Sequence, residues 1–267
     1  MNLTTEFTKA RDLPELSEFE EHVYARQLQL PDFGMTAQRK LKASTVMISR
    51  VGGLGGTVAM LLARAGVGGF VLAHDGVIEH ENLNRMHLAF REHLGKPRID
   101  VFRETLLRIN PDLRLVTENK NVMESNVCSL VEQADIIADG APAFEERYLM
   151  NREAVRQNKP LVMAAMFGLE GYVTSIIPGT TPCLSCIYPE PPEYWSVLGF
   201  PVMTPSSVLV ATVAAMEVIK LLTGYGETLA GKLLYCDLST NVFQRMKISP
   251  RVGCPVCGAK GDGNDGK

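Results

Sequence analysis

Four of the six cysteines stand in two Cys-x-x-Cys pairs, Cys183/Cys186 and Cys254/Cys257, each in turn-rich sequence. Two such knuckles supply four thiolates to a tetrahedral ion. That suits Zn²⁺ with no open position, so the expected role is structural and not catalytic. The pairs are much farther apart in sequence than those of a zinc ribbon, so the ion would clip the C-terminal end back onto an earlier loop. The alternatives are a redox Cys-x-x-Cys, for which no thioredoxin-like context is visible, and two surface pairs that never meet. Cys128 and Cys236 lie in apolar stretches and read as buried small residues.

A second chemistry resides in the turn Arg50-Val51-Gly52-Gly53-Leu54-Gly55-Gly56, which follows an apolar, β-branched run and precedes a helical pattern. Glycines let a backbone approach a phosphate, and the following helix presents unpaired N–H groups and a positive dipole end. In the G-x-G-x-x-G pattern Gly52 and Gly55 fit the second and third glycines, and Arg50 takes the place of the first. A side chain of that length either points at a phosphate or fills the space a nucleotide would use. Close helix–strand packing is the plainer explanation for such glycines. An acid expected near the end of the next strand, where ribose hydroxyls are met, is offered by Asp75. A solvated turn residue is its other reading.

The elements that must position these groups alternate. Strands are expected at 44–49, 70–73, 113–117, 135–138 and 160–165, with helices at 57–65, 98–109, 126–133 and 143–158. Residues 44–73 read as a βαβ unit, the start of a parallel sheet. From Gly171 the character changes: a strand at 172–177, the first cysteine pair, a proline-rich crossing loop, a long apolar helix at 206–223, and closing antiparallel strands at 232–236 and 242–247. The expected fold is α/β: a Rossmann-like, mostly parallel sheet flanked by helices, with C-terminal antiparallel strands and a structural zinc site. Residues 1–21 read as an arm and 22–258 as one domain, with a nucleotide-binding half at 22–170 and a zinc-bearing half at 171–258. The glycine-rich tail at 259–267 reads as disordered.

With 267 residues, 46% of them hydrophobic, the chain can bury a sizeable core. A net charge of −3 with scattered basic residues gives no electrostatic footprint for nucleic acid or an anionic membrane. The N-terminal stretch lacks an apolar signal-peptide core, and no apolar run reaches the roughly 18 residues of a membrane helix, so a cytoplasmic location is expected.

The combined motifs resemble the ThiF/MoeB/HesA family, relatives of the ubiquitin-activating enzymes. The resemblance rests on Tyr24-Ala25-Arg26-Gln27, the glycine turn, Glu79-His80-Glu81-Asn82-Leu83-Asn84-Arg85 and Gly95-Lys96-Pro97-Arg98. It continues through Arg108-Ile109-Asn110-Pro111, both cysteine pairs, 215–220 and Gly224-Tyr225-Gly226. It implies ATP and Mg²⁺ as ligands. It also implies adenylation of the C-terminal glycine carboxylate of a ubiquitin-fold sulfur carrier ending in Gly-Gly, as in cofactor biosynthesis. By the same resemblance Arg85 and Asn82 meet the phosphates, and Arg26 reaches the partner subunit's site in a homodimer. The nucleotide would be held by Arg50, Gly52, Gly53, Gly55, Asp75, Asn82 and Lys96. Arg26, Arg85, Arg98 and Asp139 would serve catalysis.

Four positions depart from the family pattern together. Arg50 replaces the first turn glycine, His74 stands where the ribose-binding aspartate belongs, and Arg98 replaces a lysine, with Lys96 nearby. Pro142 replaces an aspartate expected to serve Mg²⁺. The family's conjugating cysteine falls near Val197, so no thioester or acyl-disulfide intermediate is expected. The alternative to an active adenylyltransferase is therefore a catalytically impaired paralogue, a zinc-stabilised homodimer that binds a carrier or other partner. A dehydrogenase using NAD on the same turn leaves the cysteines, the Arg85 segment and Gly-Tyr-Gly without a role.

Overall fold

The structure, a computed structural model, describes residues 13–193 and 201–258. The tail at 259–267, most of the arm at 1–21 and the position of Val197 lie outside the described residues. The first helix, α1 (Glu18–Leu28), begins inside the segment read as an arm, because Ser17 and Glu20 form a reciprocal capping box that fixes its start. Gln27 of α1 donates to Gln38 of α2 (Gly34–Ala43), and both donate to the carbonyl of Ala65. This amide cluster ties both leading helices to the end of α3 (Gly53–Ala65).

The strands are β1 (Thr45–Ser49), β2 (Gly69–Ala73), β3 (Arg114–Glu118), β4 (Ile136–Ala138), β5 (Leu161–Phe167), β6 (Glu170–Ile176), β7 (Lys232–Asp237) and β8 (Val242–Lys247). They form one eight-stranded sheet in the order β3-β2-β1-β4-β5-β6-β7-β8. The first five are parallel, and β6, β7 and β8 add antiparallel. The expected mixed α/β architecture is present, with strand ends shifted by one or two residues. After β1 the chain winds outward through β2 and β3, then returns to place β4 on the other side of β1. The crevice between the carboxyl ends of β1 and β4 is therefore the topological switch point, where open α/β sheets bind ligands.

Alternation along the strands sorts the core onto two faces. Val46, Ile48, Phe70 and Leu72 join the cluster under α3, α4 (Arg98–Ile109) and α8 (Thr204–Thr223). Met47, Val71 and Ala73 point the other way, towards α5 (Val127–Glu132), α6 (Phe144–Arg156) and the short α7 (Leu184–Ile187). The sheet is covered on both faces, as a parallel sheet requires.

Two expectations are corrected. Helix α8 starts two residues earlier than expected and runs for 20 residues, long and apolar enough to cross a membrane by length and composition. The reading that no such run exists underrated it, because Thr, Ser, Glu217 and Lys220 dilute the pattern. Most of the helix is buried inside the fold, against α3, β5 and β6. Contact with β6 is so close that a side chain at Gly171 would begin 2.2 Å from Val210. Cys236 is buried as expected, but Cys128 is exposed. Its Sγ lies 3.0 Å from a guanidinium nitrogen of Arg156, because α5 turns that position outward.

Candidate functional site

A cavity of about 350 Å³ opens over the switch point. Its floor is the turn from β1 into α3 and the segment Gly140–Pro142 after β4. The two segments touch: a side chain at Gly140 would begin 2.5 Å from the Ser49 carbonyl, and one at Gly55 2.7 Å from the Arg50 carbonyl. Gly55 thus serves packing beneath the cavity, whereas Gly52 and Gly53 line it. The N-terminus of α3 carries no side-chain cap at Gly52, which leaves its dipole end facing the cavity.

Four guanidinium groups line this space: Arg50, Arg85, Arg98 and Arg147. Arg50 has φ +52°, the left-handed backbone that the first glycine of such a turn supplies without strain. Its side chain does not fill the cavity; Nε and Nη2 form a fork onto the carboxylate of Glu146 at 2.7–3.1 Å. Arg85 lies across the start of α3, its carbons 3.0–3.3 Å from where a Gly53 side chain would begin. Nη1 of Arg85 donates to the neutral oxygens Glu81 O at 2.6 Å and Asn84 Oδ1 at 2.9 Å. Arg98 donates to Glu79 and to the buried Asn82, each at 3.0 Å.

The sequence-derived residues divide accordingly. Arg50, Gly52, Gly53, Asn82, Arg85 and Arg98 come together around the cavity. Asp75 and Lys96 are exposed and stand outside its lining, as does Arg26 on the outer face of α1. The Asp75 carboxylate instead accepts the N–H of Gly76. Asp139 is buried and both its oxygens are engaged, Oδ1 by the Ala141 N–H at 2.8 Å and Oδ2 by Arg147 at 3.0 Å. Asp139 thus stands beneath the cavity and outside its lining, paired with Arg147. Glu81 is the one carboxylate on the cavity wall among the described residues. Sequence reasoning missed Glu146 and Arg147. Both fall in the helix expected at 143–158 and belong to no motif, yet they are only 6% and 4% exposed because α6 drives its first turn into the switch point.

His74 follows β2 directly and is buried on the cavity wall. Burial, with Arg98 and Arg50 nearby, pushes its pKa down to about 3, so the ring is neutral. The unfolded chain protonates this ring near pH 6.5, while the folded chain refuses the proton until about pH 3. Stability contributed by His74 is thus lost as pH falls below 6.5. Asp139 acts in the opposite sense: burial raises it to about 6 against the pull of Arg147, so its contribution is present at low pH and lost as pH rises through 6. Comparing wild type with His74→Gln isolates the histidine. Between pH 6.5 and 4.5 the wild type should lose about 2 kcal/mol more than the variant, read from urea midpoints. Equal losses would mean that His74 is not held neutral.

The two cysteine knuckles meet. Sγ atoms are 3.7 Å apart for Cys183 and Cys254, 3.5 Å for Cys186 and Cys257, and 3.9 Å for Cys183 and Cys186. All four lie within 4.8 Å of one another. A tetrahedral ion with bonds of about 2.3 Å to sulfur needs thiolates about 3.8 Å apart, so the set fits a metal of that size. Burial pushes the Cys183 thiol up to about 12. Burial also raises Cys254, but the backbone N–H groups of Cys257 and Val256, with the neighbouring thiols, outweigh it and bring Cys254 down to about 6. Helix α6 steadies the first knuckle: Asn151 accepts the Leu184 N–H, and Tyr148 donates to the Tyr188 carbonyl.

Comparison with known proteins agrees with this geometry. The ThiF family model matches residues 24–256. The protein HesA, heterocyst, of Trichormus variabilis is 47% identical over 88% of this chain and 88% of its own. The SAMP-activating enzyme E1 of Haloferax volcanii is 33% identical over 89% of each. A crystal structure of E. coli MccB with ATP has a TM-score of 0.77 at 25% identity, over 91% of this chain and 76% of that one. With the match spanning the switch-point cavity and three of the four clustered cysteines, Cys183, Cys186 and Cys254, the chain belongs to the ThiF family.

Proposed function

We propose that the chain binds ATP in the switch-point cavity and adenylates the C-terminal carboxylate of a ubiquitin-fold sulfur carrier ending in Gly-Gly. A carboxylate oxygen attacks the α-phosphorus, the bond from that phosphorus to the β-bridging oxygen breaks, and pyrophosphate leaves. The reaction asks for cations that offset charge on the phosphates and for alignment of the two reactants. The observation that carries this reading is Arg85 lying across the uncapped start of α3. Arg98 and Asn82 add further contacts for phosphate oxygens. The MccB structure, solved with ATP, supports the choice of nucleotide, and the activating enzyme E1 among the relatives supports the carrier.

In the same reading the four cysteines hold structural Zn²⁺ and the enzyme is a cytoplasmic homodimer. Arg26 shares an outward stripe of α1 with the exposed Phe19 and Val23, which suits an interface that delivers Arg26 to a second subunit. Incubation with ATP, carrier and labelled pyrophosphate should move label into ATP. No exchange with any Gly-Gly carrier would remove the assignment.

A second reading, a silent paralogue, draws on one specific observation: Arg50 is held by Glu146 and Asp139 by Arg147, so two expected site charges are already neutralised. The readings part on ATP binding. If Arg50 is a bystander, Arg50→Gly leaves ATP affinity within about threefold of wild type by calorimetry. A gain of tenfold or more, with wild type barely binding, would establish that Arg50 keeps nucleotide out.

A further inference from the structure

The ribose end of the cavity is built differently from its phosphate end. In dinucleotide folds the residue at the end of the second strand is an acid that accepts hydrogen bonds from ribose hydroxyls. Here that place belongs to His74, and the next residue, Asp75, turns its carboxylate out of the lining onto Gly76. The imidazole is wedged tightly. Its ring centroid is 5.6 Å from that of Phe102, and its Cε1 is 3.6 Å from where a Gly52 side chain would begin.

Both ring nitrogens are turned towards protein. Nε2 faces a guanidinium nitrogen of Arg98 at 3.5 Å, which donates to it and so leaves the ring proton on Nδ1. Nδ1 is fully buried without a partner in hydrogen-bond geometry. A ligand sugar therefore meets a neutral ring edge and no carboxylate from this strand end. Glu79 is bound to that guanidinium at 3.0 Å and is also outside the cavity lining, and Glu81, the one lining carboxylate among the described residues, belongs to the segment before Arg85 and not to this strand end.

We infer that His74 makes this a site that reads the phosphates but not the ribose hydroxyls, so that 2′-deoxy and 2′,3′-dideoxy nucleoside triphosphates are ligands as good as ATP. The inference rests on the proposed nucleotide reading and extends it to sugar selectivity. A hydrogen bond from a hydroxyl to a carboxylate distinguishes ribose from deoxyribose by roughly tenfold or more, whereas a ring edge has no such contact to lose.

The test titrates wild-type full-length protein with ATP, dATP and ddATP by calorimetry, alongside pyrophosphate exchange with each. Dissociation constants within about threefold of one another support the inference. ATP binding tenfold or more tightly than dATP overturns it while leaving the nucleotide reading intact. Failure of all three to bind overturns the nucleotide reading and this inference with it. His74→Asp restores a carboxylate beside Arg98 and should introduce a preference for ATP of roughly tenfold. If His74→Asp binds all three alike, as wild type does, position 74 does not contact the sugar and the assignment to His74 is wrong.

Discussion

Arg85→Ala should lower pyrophosphate exchange by roughly 10²- to 10³-fold, the usual cost of removing one preorganised donor aimed at developing charge. The expectation follows from position. Arg85 spans the start of α3 with its carbons against Gly53, and its guanidinium is anchored by the Glu81 carbonyl and Asn84. Neither anchor carries a negative charge, so its field is directed at whatever anion enters. Arg50 and Arg147, by contrast, each sit on a carboxylate within 3.0 Å. Arg85→Lys keeps the charge and loses the fork, and should recover only part of the rate. The loss should fall on kcat more than on the KM for the carrier, with the melting temperature within about 2 °C of wild type. A drop below threefold would place phosphate stabilisation elsewhere, with Arg98 next in line.

Cys183→Ser should lower Tm by roughly 10–20 °C. Removing one thiolate from a closed structural site belongs with the largest single-residue losses, about 4–5 kcal/mol, and a chain of this size shifts about 2–4 °C per kcal/mol. The zinc content of the variant, measured by a colorimetric release assay, should fall from about one ion per chain towards zero. Cys128→Ser is the matched control, because that thiol is exposed on α5 and is not one of the four clustered cysteines. If the purified wild type releases no zinc, and Cys183→Ser melts no lower than the control, the cluster is not a metal clip.

Periodicity made the architecture legible. The near-continuous apolar runs of β1 and β2, with a glycine turn and a helical pattern between them, read as a βαβ unit, and the structure has one. The cysteine cluster was equally legible, since two short knuckles have little other use. Side-chain direction was harder to read. Nothing local marked Asp75 as turned outward and His74 as turned in, because adjacent positions at a strand end diverge by the pleat and the following turn decides between them. Arg50 read as either ligand or plug; the structure holds it on Glu146, a partner 96 residues away that no local pattern could point to. Burial of Glu146 and Arg147 depends on where α6 meets the sheet, a tertiary fact that helix periodicity does not encode.

The way α8 and β6 sit against the parallel strands has a bearing on how the molecule can be divided. Strand β5 shares its full outer edge with β6, and α8 roofs the same face that α3 occupies. A polypeptide ending near residue 170 would lose that roof and bare a seven-residue strand, inviting proteolysis and edge-to-edge association. Gene fusions or truncations that preserve a working protein must carry 171–258 along with what precedes it. The reversal of strand direction at that point is a bend in one continuous object and not a seam where it comes apart.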